Sequence, residues 1–262
     1  MTDVFQRSLT DSARGAVVAV LAVVQVVVSG LAGTGRLGEP IATVAAAYPT
    51  PLLAAGWAFA IWMPIYLGFL AYAGYQLAPA QRRRRVHRET GWWMAAAAVC
   101  NIGWVLAFGA GWLPLAELLI IALMVSLAAV FGRLSRTPAA GVLERVVLRG
   151  TVAVYTGWVS LAIVLGTAAT GVWVGLPGDG ALATVAAAVV LLATAAIVAW
   201  VVVSGTAVVG YAAAVVWGLA GIALNDPPAA VSATAALAIL IVLTATARRV
   251  GTAGSPPRAA WG

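Results

Sequence analysis

Residues 181–203 read ALATVAAAVVLLATAAIVAWVVV and contain no charged side chain. A helix rises about 1.5 Å per residue, so about 20 residues cross a hydrocarbon layer of about 30 Å. This stretch is long enough to do so and has no polar face to turn toward water. Further apolar stretches lie at 14–33, 53–76, 92–110, 113–132, 151–175, 206–224 and 229–247. Gly, Pro or charge separates them, as in Pro177-Gly178-Asp179-Gly180 and Asn225-Asp226-Pro227-Pro228. The thinnest break is Ser204-Gly205, between the sixth and seventh stretches. The whole chain of 262 residues is 63% hydrophobic and 9% charged, where soluble domains carry about 25% charged residues. The expectation is an all-α membrane protein, a bundle of about eight transmembrane helices.

All 15 basic side chains are arginine, and the net charge is +7. Their placement argues against a nucleic-acid partner. Arg7 and Arg14 precede the first stretch. Arg82, Arg83, Arg84, Arg85 and Arg88 lie between the second and third, Arg133, Arg136, Arg145 and Arg149 between the fourth and fifth, and Arg248, Arg249 and Arg258 follow the last. With eight spans these segments share one face, and only Arg36 falls opposite. The positive-inside rule makes that face cytoplasmic. A multi-pass protein of the cell's inner (plasma) membrane follows, with both termini in the cytoplasm. The first stretch exceeds the 7–15 residues of a signal-peptide core and has no clear A-x-A site after it, so it is read as a mature span. Cys100 is the single cysteine. It has no partner for an intrachain disulfide and suits a small core position.

The loop at 34–52 is the long connector on the outer face, and such loops serve as lids or as plain connections. Most intramembrane Trp, Tyr and Phe fall in spans two to five, whereas spans six to eight are mainly Ala, Val, Leu and Ile. The chain therefore divides into an aromatic-rich five-helix unit, residues 1–176, and a three-helix extension with a short tail, residues 177–262. No internal repeat is evident.

Catalytic groups are sparse. The one histidine, His87, sits in the arginine-rich loop and is expected to be solvated there. No His, Cys or carboxylate cluster has metal-ligand spacing, and Gly30, Gly33 and Gly35 lack the strand–helix context of a nucleotide loop. Glu117 lies about one turn into span four, where a carboxylate is either functional or turned to the interface. The Arg82–Arg88 run fixes topology, and it could also recruit anionic lipid headgroups.

The aromatic pattern is more specific. Phe59, Trp62 and Tyr66 in span two, Asn101, Trp104 and Phe108 in span three, and Tyr155, Trp158 and Ala162 in span five share the spacing i, i+3, i+7. That spacing stacks side chains on one helix face. Helix packing and ligand enclosure both account for such stripes. Converging, they would wall a cavity for a planar ligand, with Trp N–H, Tyr O–H and the Asn101 amide as its few polar groups. An amide in hydrocarbon needs a partner, either another helix or a guest. Trp92, Trp93, Trp112 and Trp173 fit interface anchors.

These residues resemble the signature of the TspO/MBR family, the tryptophan-rich sensory or translocator proteins. Gly56-Trp57-Ala58-Phe59-Ala60-Ile61-Trp62-Met63-Pro64-Ile65-Tyr66 resembles that family's second-helix W-x-x-x-Y segment. Asn101-Ile102-Gly103-Trp104 with Phe108 resembles its third-helix motif, and Tyr155-Thr156-Gly157-Trp158 with Ala162 its fifth-helix motif. Val154 stands where the family has proline, and Gly166 where it often has asparagine. The resemblance covers about residues 14–176 and implies a five-helix bundle, often dimeric, with a pocket for porphyrin, haem-like tetrapyrrole or sterol-like lipid. The pocket residues it implies are Trp57, Phe59, Trp62, Tyr66, Asn101, Trp104, Phe108, Tyr155, Trp158 and Ala162. Span two enters from the outer face and span five from the cytoplasm. One shared pocket therefore requires span five to be displaced outward, or Tyr155 and Trp158 to contribute only its floor.

The expected function is a membrane binding or sensory protein with a hydrophobic small-molecule ligand, in the bilayer, with a homodimer as the expected assembly. No cofactor is required by the residues present. A transporter coupling protons through Glu117 or Asp226 is the alternative, without support from an inverted repeat or broken-helix pair. A light-driven tetrapyrrole-degrading enzyme is a third class, for which the sequence offers neither a metal site nor an acid–base pair.

Overall fold

The computed structural model describes residues 2–262, with side chains from residue 9 onward, so Arg7 lies outside the described side chains. The elements are helical throughout these residues: α1 (Thr2–Gly33), α2 (Ile41–Ala47), a 3₁₀ stretch (Gly56–Ile61) running into α3 (Trp62–Leu77), α4 (Pro79–Arg82), α5 (Arg85–Gly109), α6 (Leu113–Arg136), α7 (Val142–Glu144), a π-helical stretch (Arg145–Gly150) running into α8 (Thr151–Trp173), α9 (Gly180–Ser204), α10 (Val208–Ala223), α11 (Ala229–Gly251) and α12 (Pro256–Trp261).

Seven helices among the described residues are long and apolar enough to cross a bilayer. The eighth, α10, has 16 residues, about 24 Å of helix. It starts late because the Ser204-Gly205 break is real: α9 stops there, and Ala207 takes a left-handed conformation at φ 58° before α10 begins. Large apolar side chains face outward along the spans, including Leu118 and Val125 on α6 and Leu182, Val189, Ile197 and Trp200 on α9. In water such a surface would aggregate; against acyl chains it costs nothing. The chain is a multi-pass helical membrane protein.

α1 packs on α3 and α5, α5 on α6, α6 on α8, and α8 closes back on α3, giving a ring of five helices. Outside the ring, α10 packs on α8, α11 on α10 and α9 on α11. The α8–α10 seam is built from small residues. Gly157 lies against the Tyr211 carbonyl, and Gly218 against Leu161 and the Trp158 ring. Membrane helices approach closely only where side chains are this small. The turn between α5 and α6 is equally tight. Trp112 N–H donates to the Ala107 carbonyl at 2.9 Å and Gly111 N–H to that of Phe108 at 2.9 Å. Gly111 takes φ 75°, which a residue with a Cβ resists.

Contacts between loops define two ends. At one, Arg14 donates to the Arg82 carbonyl, Arg84 pairs with Glu144, Arg145 reaches the Gly262 carbonyl and Arg249 that of Gly205. This is the arginine-bearing end. At the far end, Glu39 N–H bonds the Gly109 carbonyl and Ala55 N–H that of Gly221.

Two expectations change here. His87 is not solvated: it is 0% exposed, on the first turn of α5, with the rings of Tyr72 and Tyr75 at 5.9 and 5.6 Å. The helix begins at Arg85, so His87 is carried inward against α3. Span five likewise begins before residue 151. Its helix runs unbroken over Val142–Trp173, 32 residues. Glu144 and Arg149 look like loop residues by hydropathy, yet both are buried and pair at 3.3 Å, with Arg84 on the second carboxylate oxygen at 2.6 Å. Buried charge is tolerated when paired in this way.

Candidate functional site

The lengthened fifth span answers the depth problem. Starting at Val142, Tyr155 lies about 20 Å along the helix, level with the start of α3. Trp62, the first residue of α3, meets Tyr155 edge-on with centroids 5.9 Å apart and Trp158 at 6.2 Å. On its other side Trp62 lies over Trp104 at 5.2 Å and stacks on Tyr66 at 5.6 Å. Trp104 continues to Phe108 at 5.5 Å, and Phe59 meets Trp158 edge-on at 6.0 Å. The three stripes converge in the interior of the five-helix ring.

A cavity of about 30 Å³ lies at the far-end side of this cluster. Phe59, Trp104, Phe108, Trp158 and Ala162 line it. Trp62, Tyr66, Asn101 and Tyr155 form the layer behind it. Trp57 is in neither group. It belongs to the 3₁₀ stretch, whose tighter winding turns its ring outward, 44% exposed and edge-on to Trp217 of α10 at 4.9 Å. The tryptophans assigned to span ends, Trp92, Trp93, Trp112 and Trp173, face outward, and Arg133 lies over the Trp93 ring at 5.2 Å.

The roof of the cavity was not visible as such in the sequence. The long loop folds over the bundle, and Ile41, Ala45, Tyr48, Leu53 and Ala54 close the cavity from above. The loop is held on both sides. Glu39 N–H bonds the end of α5, while Asn225 Nδ2 donates to the Leu53 carbonyl at 3.1 Å and Trp217 Nε1 to that of Ala58 at 2.8 Å. The run of small residues from Ile41 to Ala47 was the available signal, since it is apolar on one face of a short helix.

Polar groups behind the cavity are incompletely satisfied. Ser29 Oγ donates to Tyr66 Oη at 2.7 Å, and Tyr66 donates to Asn101 Oδ1 at 3.2 Å. Asn101 thus finds a helix partner for its oxygen. Asn101 Nδ2, Trp62 Nε1, Tyr155 Oη and Trp158 Nε1 are buried without a hydrogen-bond partner. Buried polar groups are normally paired, and here four donors are left orphaned around one set of rings. The cavity lining contains no His, Cys or Met.

The two groups considered for proton coupling lie elsewhere. Glu117 sits on the α6–α8 face and accepts from Thr167 Oγ1 at 2.7 Å. Its carboxylate presses on Gly166, whose bare backbone makes the room. Asp226 lies in the far-end turn between α10 and α11, with φ 50°.

Neither a curated protein nor a solved structure matches the chain. A family profile described as TSPO-like protein matches residues 15–248. The match runs past residue 176, through α9 and α10 and most of α11, so the likeness is not confined to the first five spans. Converging aromatic stripes in an eight-span bundle, together with a match over most of the chain, show that the chain belongs to the TSPO-like family.

Proposed function

We propose that the protein binds, and through binding senses, a planar hydrophobic ligand of the porphyrin, tetrapyrrole or sterol-like kind, held among α3, α5 and α8 beneath the 34–55 loop. The observation that carries this is the set of orphaned donors, Trp62 Nε1, Asn101 Nδ2, Tyr155 Oη and Trp158 Nε1, inside a wall of flat rings. An unpaired buried donor costs about 1–3 kcal/mol. A guest with carbonyl, carboxylate or ring-nitrogen acceptors relieves that cost, while the rings cover its faces. The cavity of about 30 Å³ holds water only, and a drug-sized ligand needs roughly 300 Å³ or more. Binding therefore requires the roof to lift, and the small residues of α2 suit a movable cover. The arginine-bearing end is assigned to the cytoplasm of the inner (plasma) membrane, and a homodimer is the assembly the family suggests.

Titration of purified protein with protoporphyrin tests this reading. Saturable quenching of tryptophan fluorescence is expected, weakened by Trp104→Ala and by Trp62→Ala. Quenching that fails to saturate rejects it.

A further inference from the structure

The arginines at the arginine-bearing end are not balanced evenly. In the five-helix ring the two buried arginines, Arg14 and Arg149, each have a carboxylate, shared with the more exposed Arg88 and Arg84. Arg14 and Arg88 share Asp11 at 2.7 and 2.5 Å, and Arg84 and Arg149 share Glu144. Exposed Arg85 pairs with Glu89. Among the described residues Arg82, Arg83, Arg133, Arg136 and Arg145 have no ion pair, yet they share this end with Asp11, Glu89 and Glu144; around α9–α12 no side-chain carboxylate is at hand. Arg248, Arg249 and Arg258 gather there, and among the described residues none has an ion-pair partner. After residue 179 the only acidic residue is Asp226, at the opposite end of the molecule.

Arg249 and Arg258 border a polar pocket of about 310 Å³, to which Ser135, Ser204, Thr206 and Ser255 also contribute. Two polar atoms at this site are buried and unpartnered, Ser135 Oγ and Arg258 Nε. Arg249 donates through Nε and Nη2 to the Gly205 carbonyl at 3.2 and 3.0 Å, leaving Nη1 without a hydrogen bond. The Ser204-Gly205 break opens this space, because α9 ends before the pocket and α10 starts beyond it. Arg249 also lines a second, apolar groove that rises from the pocket along α11, walled by Val203, Leu237, Leu240, Ile241 and Ala245. Val203, Leu237 and Leu240 are exposed on this lipid-facing side.

We infer that this paired pocket and groove bind one anionic phospholipid of the leaflet at the arginine-bearing end. Its phosphate sits among Arg249, Arg258 and the hydroxyls, and an acyl chain lies against Leu240 and Ile241. The charge of the lipid supplies what the ring obtains from Asp11 and Glu144, and the groove selects a lipid over a free anion. Guanidinium groups bind phosphate oxygens through paired donors, and basic residues at a membrane face attract anionic lipid. The inference does not depend on the ligand reading above.

The test uses the full chain in nanodiscs of phosphatidylcholine containing phosphatidylglycerol, followed by native mass spectrometry of the released protein. Preferential retention of phosphatidylglycerol is expected, reduced about tenfold in Arg249→Gln/Arg258→Gln and unchanged in Arg85→Gln. Arg249 also holds the Gly205 carbonyl, so Arg258→Gln and Leu240→Trp are measured separately. Neither removes that bond, and each should lower retention. Equal retention of the two lipids by the unaltered chain overturns the inference, as does undiminished phosphatidylglycerol in Arg258→Gln and Leu240→Trp. Complete displacement by inorganic phosphate would also overturn it, since a simple anion site would then suffice.

Discussion

Tyr155 of α8 points its hydroxyl into the interior beside Trp62 of α3, ring against ring at 5.9 Å, and that hydroxyl has no hydrogen-bond partner. Two residues from helices that enter the bundle from opposite ends thus meet at one depth. The ring of Tyr155 is needed for packing. Its oxygen is a net cost to the empty protein, since a buried unpaired hydroxyl opposes folding by about 1–3 kcal/mol.

Tyr155→Phe is therefore expected to raise the thermal unfolding temperature while weakening porphyrin binding about three- to tenfold, the range of a lost neutral hydrogen bond. Thermal scans in detergent and fluorescence titration read the two effects separately. Unchanged affinity would show that the hydroxyl plays no part in binding.

Gly157 is expected to be intolerant of any side chain. Even the methyl of Gly157→Ala would collide with the Tyr211 carbonyl on α10, and forcing the seam apart costs about 1–3 kcal/mol. Unfolding in sodium dodecyl sulfate measures this. Gly132→Ala, where a methyl meets nothing, serves as the comparison and should be close to neutral.

Gly166 and Glu117 are expected to be coupled. Gly166→Asn alone should destabilise, because its side chain needs the space that the Glu117 carboxylate occupies. Combining it with Glu117→Ala should recover at least about 1 kcal/mol of that loss in a double-mutant cycle. Strictly additive losses would mean that the two positions do not compete for space.

Glu144→Gln removes the shared partner of Arg149 and Arg84. Arg149 is buried on every side, and its remaining bond is to the Leu134 carbonyl at 2.6 Å. Leaving such a charge uncompensated costs about 3–5 kcal/mol. Thermal unfolding should register the loss, and Glu89→Gln, whose partner Arg85 is exposed, should be nearly silent.

The spans were legible because length and hydropathy suffice to read them, and even the thin Ser204-Gly205 break marks a true helix end. Spacing put Trp62, Trp104 and Trp158 each on one face of its helix, but that these faces meet is known only from the structure. Four features were hidden for separate reasons. Charge masked the start of span five, because a sequence does not announce that Glu144 neutralises Arg149 inside the structure. His87 was misjudged from its arginine neighbours, because the helix packs it against Tyr72 and Tyr75 rather than leaving it in water. Trp57, a pocket candidate through the resemblance alone, faces outward because it lies in a 3₁₀ stretch, whose winding changes which way a side chain points. The roof over the cavity depends on contacts from α10, distant in sequence, which no local pattern carries.

That roof has a consequence for how the interior exchanges its contents. Its two anchors come from different parts of the chain, Gly109 on one side and Gly221 with Asn225 on the other. A protein ending after the fifth span would have a flap hinged along one edge. In this one the second edge is latched, and the helices that follow residue 176 become the gatekeepers of a chamber to whose walls they do not contribute.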